Sequence, residues 1–230
     1  MTEINGAAAL VTGGQRGLGK AIAGELLAAG AAKVYATARD PRPSDDPRIV
    51  PLALEVTDQR SVDELARRAA DVTIVVNNAG ATIPGSLLDN DIDDVARLFD
   101  ANVLGPVRVA KAFAPVLKRN GGGVLIDIHS ALSWIAGFGA YGATKAALWS
   151  VTNTLRLELA PQGTTVIGVH VGWMDTELFA HIDSPKANPR EVAGQIVAAV
   201  GKDQPEVLAD DTSRYFKSVL SGDVAGLSPR

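Results

Sequence analysis

The chain of 230 residues is 47% hydrophobic and 21% charged, which is enough apolar content to bury one full core, so we expect a single domain over residues 1–230. The formal net charge of −4, with Lys and Arg scattered along the chain, argues against a nucleic-acid partner. With no cysteine, three isolated histidines, no export signal and no apolar run of about 18 residues, the sequence predicts a cytoplasmic protein with no metal site and no membrane insertion.

Seven short apolar runs alternate with longer periodic segments along the chain. The runs are typical of strands buried on both faces of a parallel sheet, and they cover residues 7–12, 33–37, 49–54, 72–77, 123–128, 165–171 and 205–209. The periodic segments predict helices over residues 18–29, 61–70, 91–119, 139–159 and 189–200. Strand alternating with helix predicts an α/β fold in which right-handed crossovers place helices on both faces of the sheet.

A glycine-rich segment, VTGGQRGLGKAIAG, joins the first predicted strand to the first predicted helix. Gly13, Gly17 and Gly19 permit a tight turn, close approach of a pyrophosphate and close packing of helix on sheet. The helix N-terminus adds free N–H groups and the positive end of a dipole. The alternative is a glycine-rich turn without a ligand. The position between strand and helix favours a dinucleotide site.

Three motifs in this order resemble the short-chain dehydrogenase/reductase family: T-G-x-x-x-G-x-G at residues 12–19, NNAG at 77–80 and Y-x-x-x-K at 141–145. The resemblance covers nearly the whole chain. It implies one Rossmann-type domain, a doubly wound parallel sheet of about seven strands in a three-layer αβα arrangement. It also implies NAD or NADP as cofactor, interconversion of alcohols and carbonyls without a metal, and a homodimer or homotetramer paired through the helices at 91–119 and 139–159.

Tyr141 and Lys145 lie four residues apart, so they share one face of a predicted helix. The surface around this lysine is small and apolar, which indicates that its ammonium needs a specific partner. A carbonyl that accepts hydride must gain a proton, and a phenol gives one up more readily when a cation lowers its pKa. We therefore expect Tyr141 to be the proton donor and Lys145 to lower its pKa. The family resemblance adds that Lys145 holds the nicotinamide ribose and that Asn102 organises a water beside it.

The catalytic hydroxyl has two candidates. Ser130 follows the strand at 123–128 and would stabilise the developing oxyanion. Its connection to Tyr141 is about two residues shorter than is usual in the family, which leaves Ser133 as the alternative. Ser130 is favoured because it lies nearer the predicted strand end. His129 stands where a second serine is common, and we expect it to be a packed residue.

Cofactor selectivity is predicted from the end of the second strand, VYATARD. An NAD-preferring chain has an acidic residue where Ala38 stands, and the adjacent Arg39 would instead neutralise a 2′-phosphate. Arg16 in the glycine loop adds a second positive charge. Asp40 would be the ribose-binding acid if the register shifted, but Pro41 indicates that it lies in a loop. NADP is therefore favoured over NAD.

The resemblance extends these expectations to a full set of cofactor contacts. Glu55 takes the place of an adenine-contacting aspartate, and VHVGWMDTEL at 169–178 resembles P-G-x-x-x-T with Val171 replacing the proline. The implied contacts are Gly13, Gln15, Arg16, Gly17, Leu18, Gly19, Ala38, Arg39, Glu55, Val56, Asn78, Ala79, Gly80, Tyr141, Lys145, Gly172, Trp173, Met174 and Thr176. An apolar pocket or part of the core is expected from Leu132, Trp134, Ile135, Trp173, Met174, Leu178 and Phe179.

These residues predict an NADP(H)-dependent reductase of an apolar or aromatic ketone or aldehyde. The alternative from another class is a regulatory protein that senses a dinucleotide on the same fold without chemistry. The four residues Asn102, Ser130, Tyr141 and Lys145 argue against it. An epimerase or dehydratase of a nucleotide sugar is disfavoured because no substrate domain is present in the sequence.

Overall fold

The computed structural model describes residues 2–177, 180 and 183–228. One sheet of seven parallel strands has the order β3-β2-β1-β4-β5-β6-β7. The strands are β1 Ala8–Val11, β2 Lys33–Ala38, β3 Ile49–Ala53, β4 Ile74–Asn77, β5 Gly123–Ile128, β6 Thr164–His170 and β7 Glu206–Leu208. All seven predicted strands are present. The strand order reverses between β1 and β4, which is the switch point of a doubly wound Rossmann-type sheet, so the predicted fold class is confirmed.

Helices cover both faces of this sheet. They are α1 Gly17–Ala28, α2 Gln59–Arg68, α3 Ile92–Phe99, α4 Gly105–Arg119, α5 Gly139–Leu159, α6 Pro189–Val200 and α7 Asp211–Val219. Neighbouring strand residues point to opposite faces, so Ala9 and Val11 pack in one core with α1 and α6, whereas Ala8 and Leu10 pack in a second core with α2 and α4. No helix among the described residues is long and apolar enough to cross a bilayer.

The helix predicted over residues 91–119 is interrupted. A π-helical turn at Asp100–Leu104 separates α3 from α4, and the N–H of Gly105 donates to the carbonyl of Asp100 five residues earlier. A π turn inserts one extra residue and rotates the side chains that follow. Asn102 lies in this turn and is 1% exposed. The interruption therefore turns a polar side chain inward at the edge where the site is expected.

The helix α7 and a short 3-10 turn at Val224–Leu227 were not predicted. Asp210 caps α7 by accepting hydrogen bonds from both the N–H and the hydroxyl of Ser213. Phe216 of this helix packs in a third apolar cluster with residues 131–135. The amide of Ala136 donates to the carbonyl of Leu227. The C-terminal segment thus packs against the loop that follows β5.

Candidate active site

Thr12 joins the ends of β1 and β4. Its hydroxyl accepts hydrogen bonds from the amides of Asn78 and Ala79, each at 2.9 Å, and donates to Val76. The side chain of Asn78 donates back to the carbonyls of Thr12 and Gly13. These bonds hold NNAG against the glycine loop, because the carboxyl ends of parallel strands meet at one edge of the sheet.

Asn102 ties the segment after β4 to helix α5. Its Oδ1 accepts from the amide of Ala81 at 2.8 Å, and its Nδ2 donates to the carbonyl of Ala81 at 2.9 Å and to the hydroxyl of Thr144 at 3.1 Å. A Cβ on Gly80 would lie 3.2 Å from Asn102 Oδ1 and 4.0 Å from Lys145 Nζ. Two of the predicted site residues, Asn102 and Lys145, therefore meet at a third, Gly80.

Lys145 has the specific partner that the sequence required. Its Nζ donates to the carbonyl of Ile128 at 2.8 Å, and the residue is 7% exposed. Burial lowers the pKa of Lys145 to about 8, although the nearby carboxyl of Asp127 acts in the opposite direction. The Nζ lies 5.7 Å from the centre of the Tyr141 ring. The helix spacing thus brings the phenol and the ammonium to one site, as predicted.

Burial also acts on the phenol of Tyr141. Burial raises the pKa of this phenol above its ordinary value. The hydrogen bond of the nearby ammonium of Lys145 is directed to the carbonyl of Ile128. The predicted effect of Lys145 on the pKa of Tyr141 stays a prediction. A phenol with a raised pKa remains protonated at neutral pH, which is the form that a proton donor requires.

The two candidate hydroxyls differ in their surroundings. Ser130 caps a 3-10 turn at Ala131–Ser133: its Oγ accepts from the amide of Leu132 and donates to the carbonyl of Val171, both at 3.2 Å. The Oγ of Ser133 is buried and has no hydrogen-bond partner among the described residues. Ser130 lies two residues after Ile128, whose carbonyl accepts from Lys145 Nζ.

The glycine loop has the geometry expected of a phosphate cradle. Gly13 and Gly17 have φ values of +63° and +50°, a region that other residues rarely adopt. A Cβ on Gly19 would lie 2.3 Å from the carbonyl oxygen of Gly13. The residue before α1, Arg16, makes no side-chain capping bond, so the first N–H groups of the helix have no side-chain cap. Thr176 lies over this loop, with its Cγ2 3.3 Å from where a Cβ of Gly17 would be.

The end of β2 lies beside this loop. The strand ends at Ala38, and Arg39 and Asp40 follow as exposed residues. Gln15 exchanges two hydrogen bonds with the backbone of Arg42, at 2.7 and 2.8 Å, and so holds the segment after β2 against the glycine loop. The contact of Gln15 with the cofactor stays a prediction.

Glu55 and Val56 follow β3 at the same edge. The carboxylate of Glu55 accepts hydrogen bonds from the amide and the hydroxyl of Thr57, at 3.1 and 2.8 Å. Glu55 therefore organises its own turn here, because its longer side chain folds back on the loop. Val56 packs against Gly105 at the start of α4, where a Cβ would lie 3.1 Å from it. Leu18 is buried in the core under α1.

The residues after β6 contact two different parts of the protein. The amide of Gly172 donates to Asp210 at 2.5 Å, and the side chain of Met174 is buried in the core beneath α6. Trp173 instead meets Phe138 edge to face, with ring centres 5.6 Å apart. Leu132, Trp134 and Ile135 are buried in the same apolar cluster that Trp173 and Tyr141 border. The predicted pocket residues Leu178 and Phe179 lie outside the described residues.

Several residues that organise the site were not singled out from the sequence. They are Thr12, Asn77, Asp127, Thr144 and Thr152. Thr12 and Asn77 lie within the quoted motifs but were given no role. Asp127 carried a usable signal, because it is a carboxylate inside the otherwise apolar strand GVLIDI. A buried carboxyl group requires hydrogen-bond partners.

Comparison with known proteins identifies the family. A family model described as short chain dehydrogenase matches residues 7–187. An NADPH-dependent 1-acyldihydroxyacetone phosphate reductase of Schizosaccharomyces pombe is 36% identical over 74% of this chain, which spans 60% of that relative's length. An uncharacterized oxidoreductase of Staphylococcus aureus is 32% identical over 87% of this chain and 93% of its own.

Among solved structures, a short chain dehydrogenase from Burkholderia cenocepacia in complex with NADP superposes with a TM-score of 0.92 at 34% identity. The match covers 99% of this chain and 97% of that one. The likeness therefore extends over the glycine loop, the whole sheet and helix α5. The chain is a member of the short-chain dehydrogenase family of oxidoreductases.

Proposed function

We propose that this protein is an NADP(H)-dependent reductase that converts a ketone or aldehyde to an alcohol. The observation that carries the proposal is the convergence of Asn102, Lys145 and Gly80 beside Tyr141, at the strand edge that also holds the glycine loop. A phenol, an ammonium and a hydroxyl at one site supply the proton transfer and the oxyanion stabilisation that carbonyl reduction requires.

Each side chain has a distinct role in this proposal. Bound NADPH supplies the hydride. Tyr141 donates its proton to the substrate oxygen, and Lys145 stabilises the phenolate that remains. Ser130 donates a hydrogen bond to the oxygen as negative charge develops on it. Asn102 acts through the backbone of Ala81 and the hydroxyl of Thr144, which it holds in place.

The preference for NADP rests on the end of β2. No carboxylate stands at Ala38, the last residue of the strand, and Arg39 follows it as an exposed residue. Among the described residues, neither Arg39 nor Arg16 forms an ion pair, so both guanidinium groups are available to a 2′-phosphate. The Burkholderia structure in complex with NADP and the NADPH-dependent yeast reductase support the same choice. The glycine cradle and Thr176 would hold the remainder of the cofactor.

The substrate side is apolar and aromatic. Trp173, Phe138 and Tyr141 are partly buried around the buried residues of the loop after β5, which supports an apolar or aromatic carbonyl compound as substrate. A homodimer or homotetramer would cover exposed leucines near the start of α4 and on α5: Leu104 is 49% exposed and Leu157 is 77% exposed.

The experiment is a turnover assay with NADPH and a panel of aliphatic and aromatic ketones and aldehydes. Consumption of NADPH that depends on the carbonyl compound, with alcohol as product, is the expected result. The second candidate function, a dinucleotide sensor without chemistry, predicts binding of NADPH with no turnover across the panel. The two functions are separated by measuring NADPH binding in the same samples.

A further inference from the structure

Four buried polar side chains form a continuous chain of contacts beneath the site. Asp127 Oδ2 lies 2.6 Å from Thr152 Oγ1, and Thr152 Oγ1 lies 2.8 Å from His129 Nε2. His129 Nδ1 lies 3.1 Å from His170 Nε2, and His170 Nδ1 lies 3.3 Å from the carbonyl oxygen of Ser130. All four side chains belong to residues that are at most 2% exposed. The chain ends on the backbone of the candidate catalytic serine.

The direction of these bonds follows from the number of hydrogens available. A carbonyl oxygen only accepts, so His170 must carry its hydrogen on Nδ1. Its Nε2 then accepts when the ring is neutral, which requires a hydrogen on His129 Nδ1. His129 Nε2 must in turn receive the Thr152 hydroxyl hydrogen. That hydroxyl has only one hydrogen, so Asp127 must donate to it and is therefore protonated. Four hydrogens then serve four contacts.

The reverse direction leaves a conflict. An ionised Asp127 would take the hydroxyl hydrogen of Thr152, and each imidazole would then carry its hydrogen on Nε2. The bare Nδ1 of His170 would face the lone pairs of the Ser130 carbonyl at 3.3 Å. A second proton on His170 would remove that conflict, but it would create a buried imidazolium and a buried carboxylate. The Leu148 carbonyl lies 2.9 Å from the Thr152 hydroxyl, but a hydrogen directed there leaves His129 Nε2 without a donor.

Burial favours the neutral form at every member of the chain. It raises the pKa of Asp127, lowers the pKa of His129 well below its ordinary value and lowers that of His170 to about 3. Asn77 Nδ2 donates to Oδ1 of Asp127 at 2.9 Å, which leaves Oδ2 to carry the proton toward Thr152. The Trp134 ring stacks on His170 with centres 4.0 Å apart and helps to enclose it.

Charged groups face this chain from three elements. They are Lys145 and Arg156 on α5, Glu206 on β7 and Lys217 on α7. Lys145 and Arg156 favour an ionised Asp127 and so oppose the effect of burial on its pKa. Glu206 Oε1 lies 3.7 Å from His170 Nε2, beyond hydrogen-bond distance, and already accepts from Lys217 Nζ at 2.8 Å. None of these charged groups changes the number of hydrogens available to the four contacts. That number therefore decides the direction of the hydrogen bonds.

We propose that Asp127 is a neutral carboxylic acid that begins a one-way chain of hydrogen bonds through Thr152, His129 and His170 to the carbonyl of Ser130. The four side chains are positioning residues: they fix the strand end that carries Ser130 and the Ile128 carbonyl to which Lys145 is bound. Asp127 is then not the counter-ion of Lys145. The consequence for catalysis rests on the proposed reductase function, whereas the position of the protons does not.

The direct test is long-range proton–nitrogen NMR of the histidine rings in the full-length wild-type protein. We expect His129 and His170 to be neutral, with the hydrogen on Nδ1 in both rings, from slightly acidic to slightly alkaline pH. The His181→Asn variant identifies the third histidine signal by its loss. A hydrogen on Nε2 of His129, or a doubly protonated His170, would overturn the proposal. This readout is independent of turnover, so a failure of the reductase function is distinguishable.

The kinetics of three variants give the second test. Asp127→Asn keeps the geometry, because the amide can donate to Thr152 and accept from Asn77 as a carboxylic acid does. We expect an unchanged pH profile of kcat, and histidine rings that keep their hydrogens on Nδ1, since no buried partner is lost. A shifted profile together with a large loss of activity would mean that Asp127 is ionised.

Thr152→Val should lower kcat about tenfold without changing the KM for NADPH, and Thr152→Ser should restore kcat. Equal kcat in Thr152→Val and Thr152→Ser would contradict the positioning role.

Discussion

The ends of β5 and β2 lie on one edge of the sheet but differ in how their polar groups are held. At the end of β5, Lys145 and Ser130 are buried, and each donates to a backbone carbonyl. At the end of β2, Arg39 is exposed and forms no ion pair among the described residues. In the proposed function, the groups that take part in the chemistry are thus fixed before any ligand arrives, because misplacement of reacting groups is costly. The guanidinium proposed to bind the 2′-phosphate is left exposed.

The largest effect is expected among the buried groups near the end of β5. Tyr141→Phe should lower kcat by about a thousandfold or more, because the proton donor is lost while the ring and its packing remain. The Kd for NADPH should stay near wild type. The measurement is steady-state turnover with one ketone, together with NADPH titration. Activity near that of wild type would remove Tyr141 from the role of donor.

The serines give the next largest effect and decide between two neighbouring hydroxyls. Ser130→Ala should lower kcat about a hundredfold, as the loss of one oxyanion donor does in other enzymes. Ser133→Ala is the matched control and should be nearly silent. If Ser133→Ala shows the large loss and Ser130→Ala the small one, the short loop has moved the catalytic hydroxyl to the side chain that has no partner among the described residues.

Substitutions at the exposed end of β2 should change the selectivity between NADPH and NADH without changing the chemical step. Arg39→Ala removes a charge-assisted hydrogen bond to a 2′-phosphate, and Ala38→Asp places a carboxylate beside it. Each change should lower kcat/KM for NADPH about ten- to a hundredfold. NADH should lose far less, and the double variant should prefer NADH.

The control for this series is Asp40→Ala, which should leave the NADPH to NADH ratio unchanged because Asp40 lies beyond the end of the strand. A wild-type preference for NADH, or a ratio that responds to Asp40→Ala, would mean that the cofactor is read in a different register. A loss of kcat with both cofactors in Arg39→Ala would contradict the distinction between the end of β5, expected to affect chemistry, and the end of β2, expected to affect cofactor selectivity.

The smallest effects are expected from two glycines of α1. Gly19→Ala should cost about 1–3 kcal/mol of unfolding free energy and weaken NADPH binding, because its Cβ would meet the Gly13 backbone. A Cβ on Gly24 would have no neighbouring atom within 4 Å among the described residues, so Gly24→Ala should instead add about 0.5–1 kcal/mol. Urea unfolding and NADPH titration measure both. Equal stability of the two variants would show that the loop can relax around the added methyl group.

The sequence predicted the sheet better than the helices. Continuous apolar runs identify buried strands directly, and β5 and α5 were placed with the observed bounds. The interruption at Asp100–Leu104 was not predicted, because the π turn continues the helical backbone from α3 into α4. Helix α7 was missed because DTSRYFKSV is mostly polar, and its stability comes from the cap at Asp210 and one buried phenylalanine.

At the site, spacing along the helix was sufficient to predict that Tyr141 and Lys145 meet. Helix spacing was not sufficient to predict which residues the buried polar groups contact. The Ile128 carbonyl that holds Lys145 and the chain from Asp127 to His170 depend on contacts between residues 17 to 41 positions apart. The burial that raises the pKa of Tyr141 is likewise a tertiary property, which helix spacing does not show.

The central claim is hydride transfer from NADPH to a carbonyl carbon. The most direct measurement is turnover with NADPH deuterated at nicotinamide C4, prepared separately in each of its two stereochemical forms, with mass spectrometry of the alcohol product. We expect one of the two forms to deliver one deuterium to the carbinol carbon. In Tyr141→Phe, the rate of product formation should fall to the same extent as kcat. Alcohol that carries no deuterium with either form, or NADPH that binds without any product across the carbonyl panel, would contradict the account.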